Sequence, residues 1–178
     1  VVMVSTLTTK DADVTILAME RGAIDFVTKP NNIIEAKGED FKRQLLSVLT
    51  AVYETQQWNS VHTISSLTKK KISASNNRIK AVNPGKKLVA LACSTGGPKA
   101  LQSVVPYLPK KLDAPVVIVQ HMPAGFTQSM AKRLDEISEI PVKEAQEGDR
   151  LENGHVYIAP GGRHLEVRRM GDGSHVIK

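Results

Sequence analysis

Apolar residues in this chain follow two spacings. Val1–Ser5, Ala23–Val27, Leu88–Cys93 and Ala114–Gln120 are short, nearly unbroken apolar runs. Such runs read as strands buried on both faces. Between them the spacing becomes helical. Val14, Leu17 and Ala18 predict one face of a helix over Asp11–Arg21, stopped by Gly22. Phe41, Leu45, Val48, Leu49 and Val52 predict a longer helix after Lys29-Pro30. Lys99–Val105 reads as a short helix, and Phe126, Met130, Leu134 and Ile137 mark the face of another. Pro141–Ala145, His155–Ala159 and His164–Arg169 read as strands, the last turning at Gly171-Asp172-Gly173. Strands alternating with helices predict an α/β fold, with a mostly parallel sheet covered on both faces and an antiparallel extension at its end. Val1–Ser5 and His175–Lys178 read as strands at the very ends, so the chain is expected to be a fragment cut through folded structure.

The pattern fails between the two halves. Residues 55–87 are rich in Ser, Thr, Asn and Lys and end near Asn83-Pro84-Gly85. This composition buries too little surface to offset its chain entropy and reads as a basic flexible linker. Trp58, Ile64 and Leu67 are the residues in it able to dock on a neighbouring unit. The expected organisation is therefore 1–54, a linker over 55–87, and 88–178, with no internal repeat.

Composition narrows the function. The 178 residues have 24 Lys and Arg against 18 Asp and Glu, a formal charge of +6. That excess raises the question of a nucleic-acid partner. Its distribution answers it: 1–54 is net −2, 88–178 is net +1, and 55–87 has seven bases and no acid. Charge confined to a linker, without a helix-turn-helix pattern or aromatic platform, supports only weak, salt-sensitive binding. No nucleic-acid partner is expected. One cysteine, Cys93, excludes an internal disulfide framework and a multi-cysteine metal site. No apolar run approaches the roughly 20 residues that span a bilayer, and no signal peptide opens the chain. A cytoplasmic location without membrane insertion is expected.

The strongest chemical signal is Leu88–Pro98. An apolar strand ends, and Ser94-Thr95-Gly96-Gly97 turns sharply into a helix. Such a turn exposes a serine Oγ at the carboxyl end of a strand, where open α/β sheets place their sites. Its glycines let backbone N–H groups approach a substrate oxygen. Two other readings stay open: a plain strand-to-helix connection, and a phosphate cradle. The cradle lacks both a closing Lys-Ser or Lys-Thr pair and a Gly-x-Gly-x-x-Gly pattern.

A serine nucleophile needs a base. His121 follows the strand Val116–Gln120 and so sits at a carboxyl end, as Ser94 does. His164 follows Gly161-Gly162-Arg163 at another loop-to-strand junction and is a second candidate for lining a site. His62 lies in the linker, and His155 and His175 sit at strand starts. Among possible orienting acids, Asp113 lies at the wrong end of its strand, Asp149 is a loop residue, and Asp172 reads as a hairpin turn.

Three separated motifs then carry a resemblance. Leu91–Pro98, then Gln120-His121-Met122-Pro123 with Gly125-Phe126-Thr127, then Ala159–His164, resemble the chemotaxis protein-glutamate methylesterase family, CheB. Val2-Met3-Val4-Ser5 and Gly22–Pro30 resemble the second half of that family's response-regulator receiver. The resemblance implies a partial flavodoxin-like receiver, a linker, and the first part of a doubly wound esterase domain. It implies demethylation of glutamate methyl esters, with deamidation of glutamines, on methyl-accepting chemotaxis receptors. Ser94 would be the nucleophile and His121 the general base and acid, with Thr95 and Gly96 in the oxyanion loop. The third triad member, an Asp, would lie beyond Lys178, leaving the fragment inactive. Ser5 and Lys29 would be receiver switch residues. The phosphoacceptor would lie upstream of Val1, with a chemotaxis histidine kinase as phosphodonor. The esterase would need no cofactor or metal; Mg2+ would serve only receiver phosphorylation in the full-length protein. The alternative is a response regulator whose output is binding, through nucleic acid or a docking partner, by way of the linker.

Overall fold

The structure, a computed structural model, describes residues 1–6, 8–61 and 87–178. The linker expectation for 62–86, with His62, Ile64 and Leu67, lies outside the described residues, as does the side chain of Trp58.

The front unit runs β1 (Val2–Ser5), α1 (Thr9–Glu20), β2 (Asp25–Thr28), α2 (Ile33–Ala36) and α3 (Glu39–Val61). β1 and β2 pair in parallel from Val2↔Asp25 to Ser5↔Thr28. Thr8 starts α1 by accepting a hydrogen bond from the Asp11 N–H at 3.2 Å. Gly22, at φ +111°, allows the reversal that follows. In α2, Asn32 Oδ1 accepts from the Glu35 N–H at 2.8 Å, and the Glu35 carboxylate accepts from the Asn31 N–H at 3.0 Å.

Two expectations need correction here. The buried face of α1 is Ala12, Thr15, Ile16 and Met19, whereas Val14 and Leu17 are exposed. Both stripes have helical spacing. The second is selected because it meets two further helices, and because Thr15 can be buried with its hydroxyl bonded to Ser5 Oγ and Asp11 O, each at 2.7 Å. The boundary at residue 54 also falls inside α3, which continues to Val61. No Gly or Pro interrupts Thr55–Val61, so the helix has no local stop there.

The second unit contains β3 (Val89–Cys93), α4 (Gly97–Val104), a 3-10 turn (Val105–Tyr107), β4 (Val116–Gln120) and α5 (Phe126–Ile137). β5 (Val142–Glu144), β6 (Val156–Ile158), β7 (Val167–Arg169) and β8 (His175–Ile177) follow. Its four-stranded sheet has the order β3-β4-β6-β5 and is parallel throughout. The antiparallel part is a separate hairpin, β7–β8, closed by Met170 N–H donating to Ser174 O at 2.8 Å. One sheet face, with Leu91, Val116 and Ile118, packs on Leu101 and Val105 and on α5 through Phe126, Met130 and Leu134. The other is covered only in part among the described residues. Val117 and Tyr157 are buried with Ala145 and Ile177, while Ala90, Ala92 and Val119 stay exposed. The expected cover on both faces is therefore half present.

The two units share one core. Ala12, Ile16 and Met19 of α1 join the cluster formed by α4, α5 and the sheet. Phe26 stacks on Phe126 with centroids 4.5 Å apart and planes 13° from parallel. Arg133 grips the Glu20 carboxylate with two bonds, at 3.0 and 2.7 Å. Phe126 is only 1% exposed and anchors this junction. Phe126→Ala should cost about 3–5 kcal/mol, the range for truncating a fully buried aromatic. Glu20→Gln, at a partly exposed ion pair, should cost about 1 kcal/mol or less. Urea unfolding midpoints of the two variants check this ordering.

Candidate active site

The sequence places Ser94 just past β3 and His121 just past β4, and the sheet brings the two ends together. Cys93 is level with Gln120 in the parallel register. One more bond, His121 N–H to Cys93 O at 3.0 Å, extends the ladder past the strand ends. Ser94 and His121, both exposed, line one cavity of about 780 Å³ with Thr95, Met122, Pro123 and Gly162. Among the described residues, Ser94 Oγ and the His121 ring are not hydrogen-bonded to each other. Catalytic bonds often tighten only when substrate is present.

The turn is tight. Gly97 N–H donates to Ser94 O at 2.8 Å, and Gly96 takes the left-handed conformation at φ +74°. Pro98 follows at the first turn of α4, where it costs no helical hydrogen bond. The Thr95–Gly96 backbone therefore sits at a helix N-terminus, a favourable place for developing negative charge.

The third motif closes the same region. Gly161 packs so tightly against the loop after His121 that a Cβ there would lie 2.4 Å from Pro123 O. Its N–H donates to Thr127 Oγ1 at 2.9 Å, and Thr127 in turn donates to Glu144 Oε1. A smaller groove of about 270 Å³ runs beside the first, lined by Gln120, His121, Ala159 and His164. His164 thus borders the site from the neighbouring loop.

Asp25, which the sequence reading did not select, also lines the Ser94–His121 cavity. It is 7% exposed, and Phe26 N–H donates to its Oδ1 at 2.8 Å. Burial pushes its carboxyl above the ordinary value. The Phe26 N–H bond, and the polar groups of Thr95, Gly96 and His121 nearby, oppose that push. Nothing in Ala23-Ile24-Asp25-Phe26 signals this role, because the partners come from the other unit.

The remaining candidates lie elsewhere. Ser5 and Lys29 stand together at the ends of β1 and β2, joined by Lys29 N–H to Ser5 O at 2.6 Å. The Ser5 hydroxyl is buried and accepts from Thr15 Oγ1, while Lys29 is exposed. Asp172 accepts from Ser174 N–H and Oγ in the hairpin turn and meets Arg150 at 3.0 Å. Asp113 pairs with Lys87, and Asp149 with Lys143. His155 contacts the Asn153 carbonyl at 3.2 Å.

A family model described as CheB methylesterase matches residues 89–178. The chain belongs to the CheB methylesterase family. A protein-glutamate methylesterase/protein-glutamine glutaminase of Bacillus licheniformis is 46% identical over 171 residues, covering 94% of this chain and 48% of that protein. One from Pyrococcus horikoshii is 42% identical over 168 residues, covering 94% of this chain and 45% of its own length. The chain thus spans about half the length of these relatives. The crystal structure of the Thermotoga maritima CheB methylesterase catalytic domain is similar with a TM-score of 0.50 and 48% identity. That match covers 53% of this chain and 49% of the other.

Asp25 has a pH signature. A carboxyl whose value is raised by folding binds more protons folded than unfolded, so it lowers stability as pH rises above the ordinary 3.8. Asp25→Asn should remove that loss. The variant should match or exceed the parent in stability at pH 7, with a flatter profile upward from pH 3.8. Urea unfolding at a series of pH values measures it, and a steeper profile in the variant would contradict the assignment.

Proposed function

We propose that this chain is part of a protein-glutamate methylesterase and protein-glutamine glutaminase acting on methyl-accepting chemotaxis receptors. The observation that carries the reading is the convergence of Ser94, Thr95 and His121 on one cavity at adjacent strand ends. In this mechanism Ser94 Oγ attacks the side-chain carbonyl of a methylated glutamate. His121 takes the Ser94 proton as the new C–O bond forms. The tetrahedral oxyanion faces the Thr95–Gly96 backbone at the start of α4. His121 then returns the proton to the departing methoxide, releasing methanol and leaving an acyl-serine. Water, deprotonated by His121, cleaves the acyl-serine to glutamate and restores Ser94. A glutamine follows the same course and releases ammonia.

The acid that orients His121 is assigned to the part of the full-length protein that follows Lys178. The carboxylates of Asp113, Asp149 and Asp172 are engaged elsewhere. The ester chemistry needs no cofactor. Mg2+ would serve only phosphorylation of the receiver in the full-length protein. No helix of the described residues is long and apolar enough to cross a membrane. As part of the proposal, the receptor substrates are met on their cytoplasmic side.

The front unit, 1–54, is read as the second half of a receiver phosphorylated by a chemotaxis histidine kinase, with Ser5 and Lys29 as switch residues. Control by phosphorylation is supported by its position. Asp25, Arg43, Gln44, Ser47 and Val48 form one wall of the Ser94–His121 cavity. A shift of that wall changes access to the site.

Methanol release from methylated receptor by the full-length protein tests the chemistry. Ser94→Ala and His121→Ala should each lower turnover by roughly 10⁴-fold or more. Retained activity in Ser94→Ala would overturn the mechanism. The same assay tests the control. Glu20→Gln, which weakens the grip of Arg133 on α1, should raise release by the unphosphorylated protein by about 2–5-fold.

A further inference from the structure

Gln120 is the last residue of β4, and it is buried at 5% exposure. Its side-chain Nε2 donates to two carbonyls, Ser94 O at 3.0 Å and His121 O at 3.3 Å. These belong to the two residues read above as nucleophile and base. Its Oε1 is buried without a partner. That oxygen fits only because residue 97 is glycine: a Cβ there would fall 2.0 Å from it.

A role in packing alone does not need this amide. An apolar side chain of the same length would fill the space without burying an unpaired oxygen. The amide instead acts where the sheet ladder stops. β3 and β4 are level at Cys93↔Gln120, and His121 N–H to Cys93 O is the last backbone bond between them. Beyond it one strand enters the Ser94 turn and the other enters the His121 loop. Gly97 N–H holds the Ser94 carbonyl within its own turn, and the Gln120 amide ties that turn to the His121 loop.

We propose that Gln120 is a positioning residue that clamps the Ser94 and His121 carbonyls with one amide group and so holds nucleophile and base in register. This inference rests on the reading of Ser94 as nucleophile and His121 as base. Proton transfer between them needs an approach of about 3 Å. A misplacement of about 1 Å at a reacting pair costs on the order of 10²-fold. The clamp leaves both side chains free to turn toward a substrate while fixing the backbones that carry them.

The test compares Gln120→Met and Gln120→Glu with the parent in the full-length protein. Methionine keeps the length and removes the donor; glutamate keeps the shape and puts an acceptor against both carbonyls. Methanol release from methylated receptor gives kcat and KM, thermal unfolding gives the midpoint, and a fluorophosphonate probe gives the rate of covalent reaction at Ser94. The expected result for Gln120→Met is a fall in kcat of about 10²-fold and a parallel fall in the labelling rate. KM should stay within about threefold, because receptor binding is not touched. The Glu variant should lose at least as much, and it is read alone if the Met variant does not fold. A Met variant with kcat and labelling rate within about threefold of the parent would overturn the proposal. So would a loss that appears in KM alone. Ser94→Ala separates the two readings. If it is inactive while Gln120→Met is not, only the clamp fails; if it retains activity, the esterase reading itself fails.

Discussion

Parallel strands that are level along their length deliver their next residues side by side, and the candidate site depends on that constraint. β3 and β4 stay in register from Val89↔Val116 to Cys93↔Gln120. Ser94 and His121 are the next residue on each, so their proximity is a property of the backbone ladder. The Ser94 turn can then be tight because Gly96 accepts a positive φ and Gly97 has no side chain to strike Gln120. The helix that follows packs Leu101 into the core, which fixes the turn from its other end. Core, ladder and turn therefore act as one support for the two side chains.

The front unit is bound to this support by apolar and charged contacts of different weight. Phe26 on Phe126, and Ile16 and Met19 in the common core, supply buried area. Arg133 with Glu20 is a partly exposed pair and adds orientation more than energy. Asp25 works in the opposite direction. A carboxylate withdrawn from water opposes burial, and the Phe26 N–H bond with the polar groups of the nearby turn compensates it only in part. The junction thus has firm helical packing on one side and an uneasy polar contact at the cavity.

The sequence made the elements near the site readable for a physical reason. Phe126, Met130 and Leu134 recur at helical spacing and face the sheet, and α5 forms where that spacing predicts. The runs before Ser94 and His121 are apolar because β3 and β4 sit inside a parallel sheet. The Gly171-Asp172-Gly173 turn likewise carries its own local chemistry. What was not readable depends on contacts between distant segments. α1 offers two apolar stripes, and only docking on α4 and α5 decides which is buried. Asp25 looks like any strand acid until the second unit surrounds it. Gln120 stands in the quoted Gln120-His121-Met122-Pro123 motif. Its amide has no meaning until β3 lies beside it and supplies the Ser94 carbonyl.

The close seat of Gly161 bears on how this site can be redesigned. Its Cα lies against the Pro123 and Met122 carbonyls, with no room for a methyl group. Any side chain there would press on the loop that carries His121, so a library randomised at this position would be spent on disrupted sites. The neighbouring Arg163 and His164 are exposed and line the adjoining groove. Variation of that groove is best confined to those two residues, with Gly161 held constant.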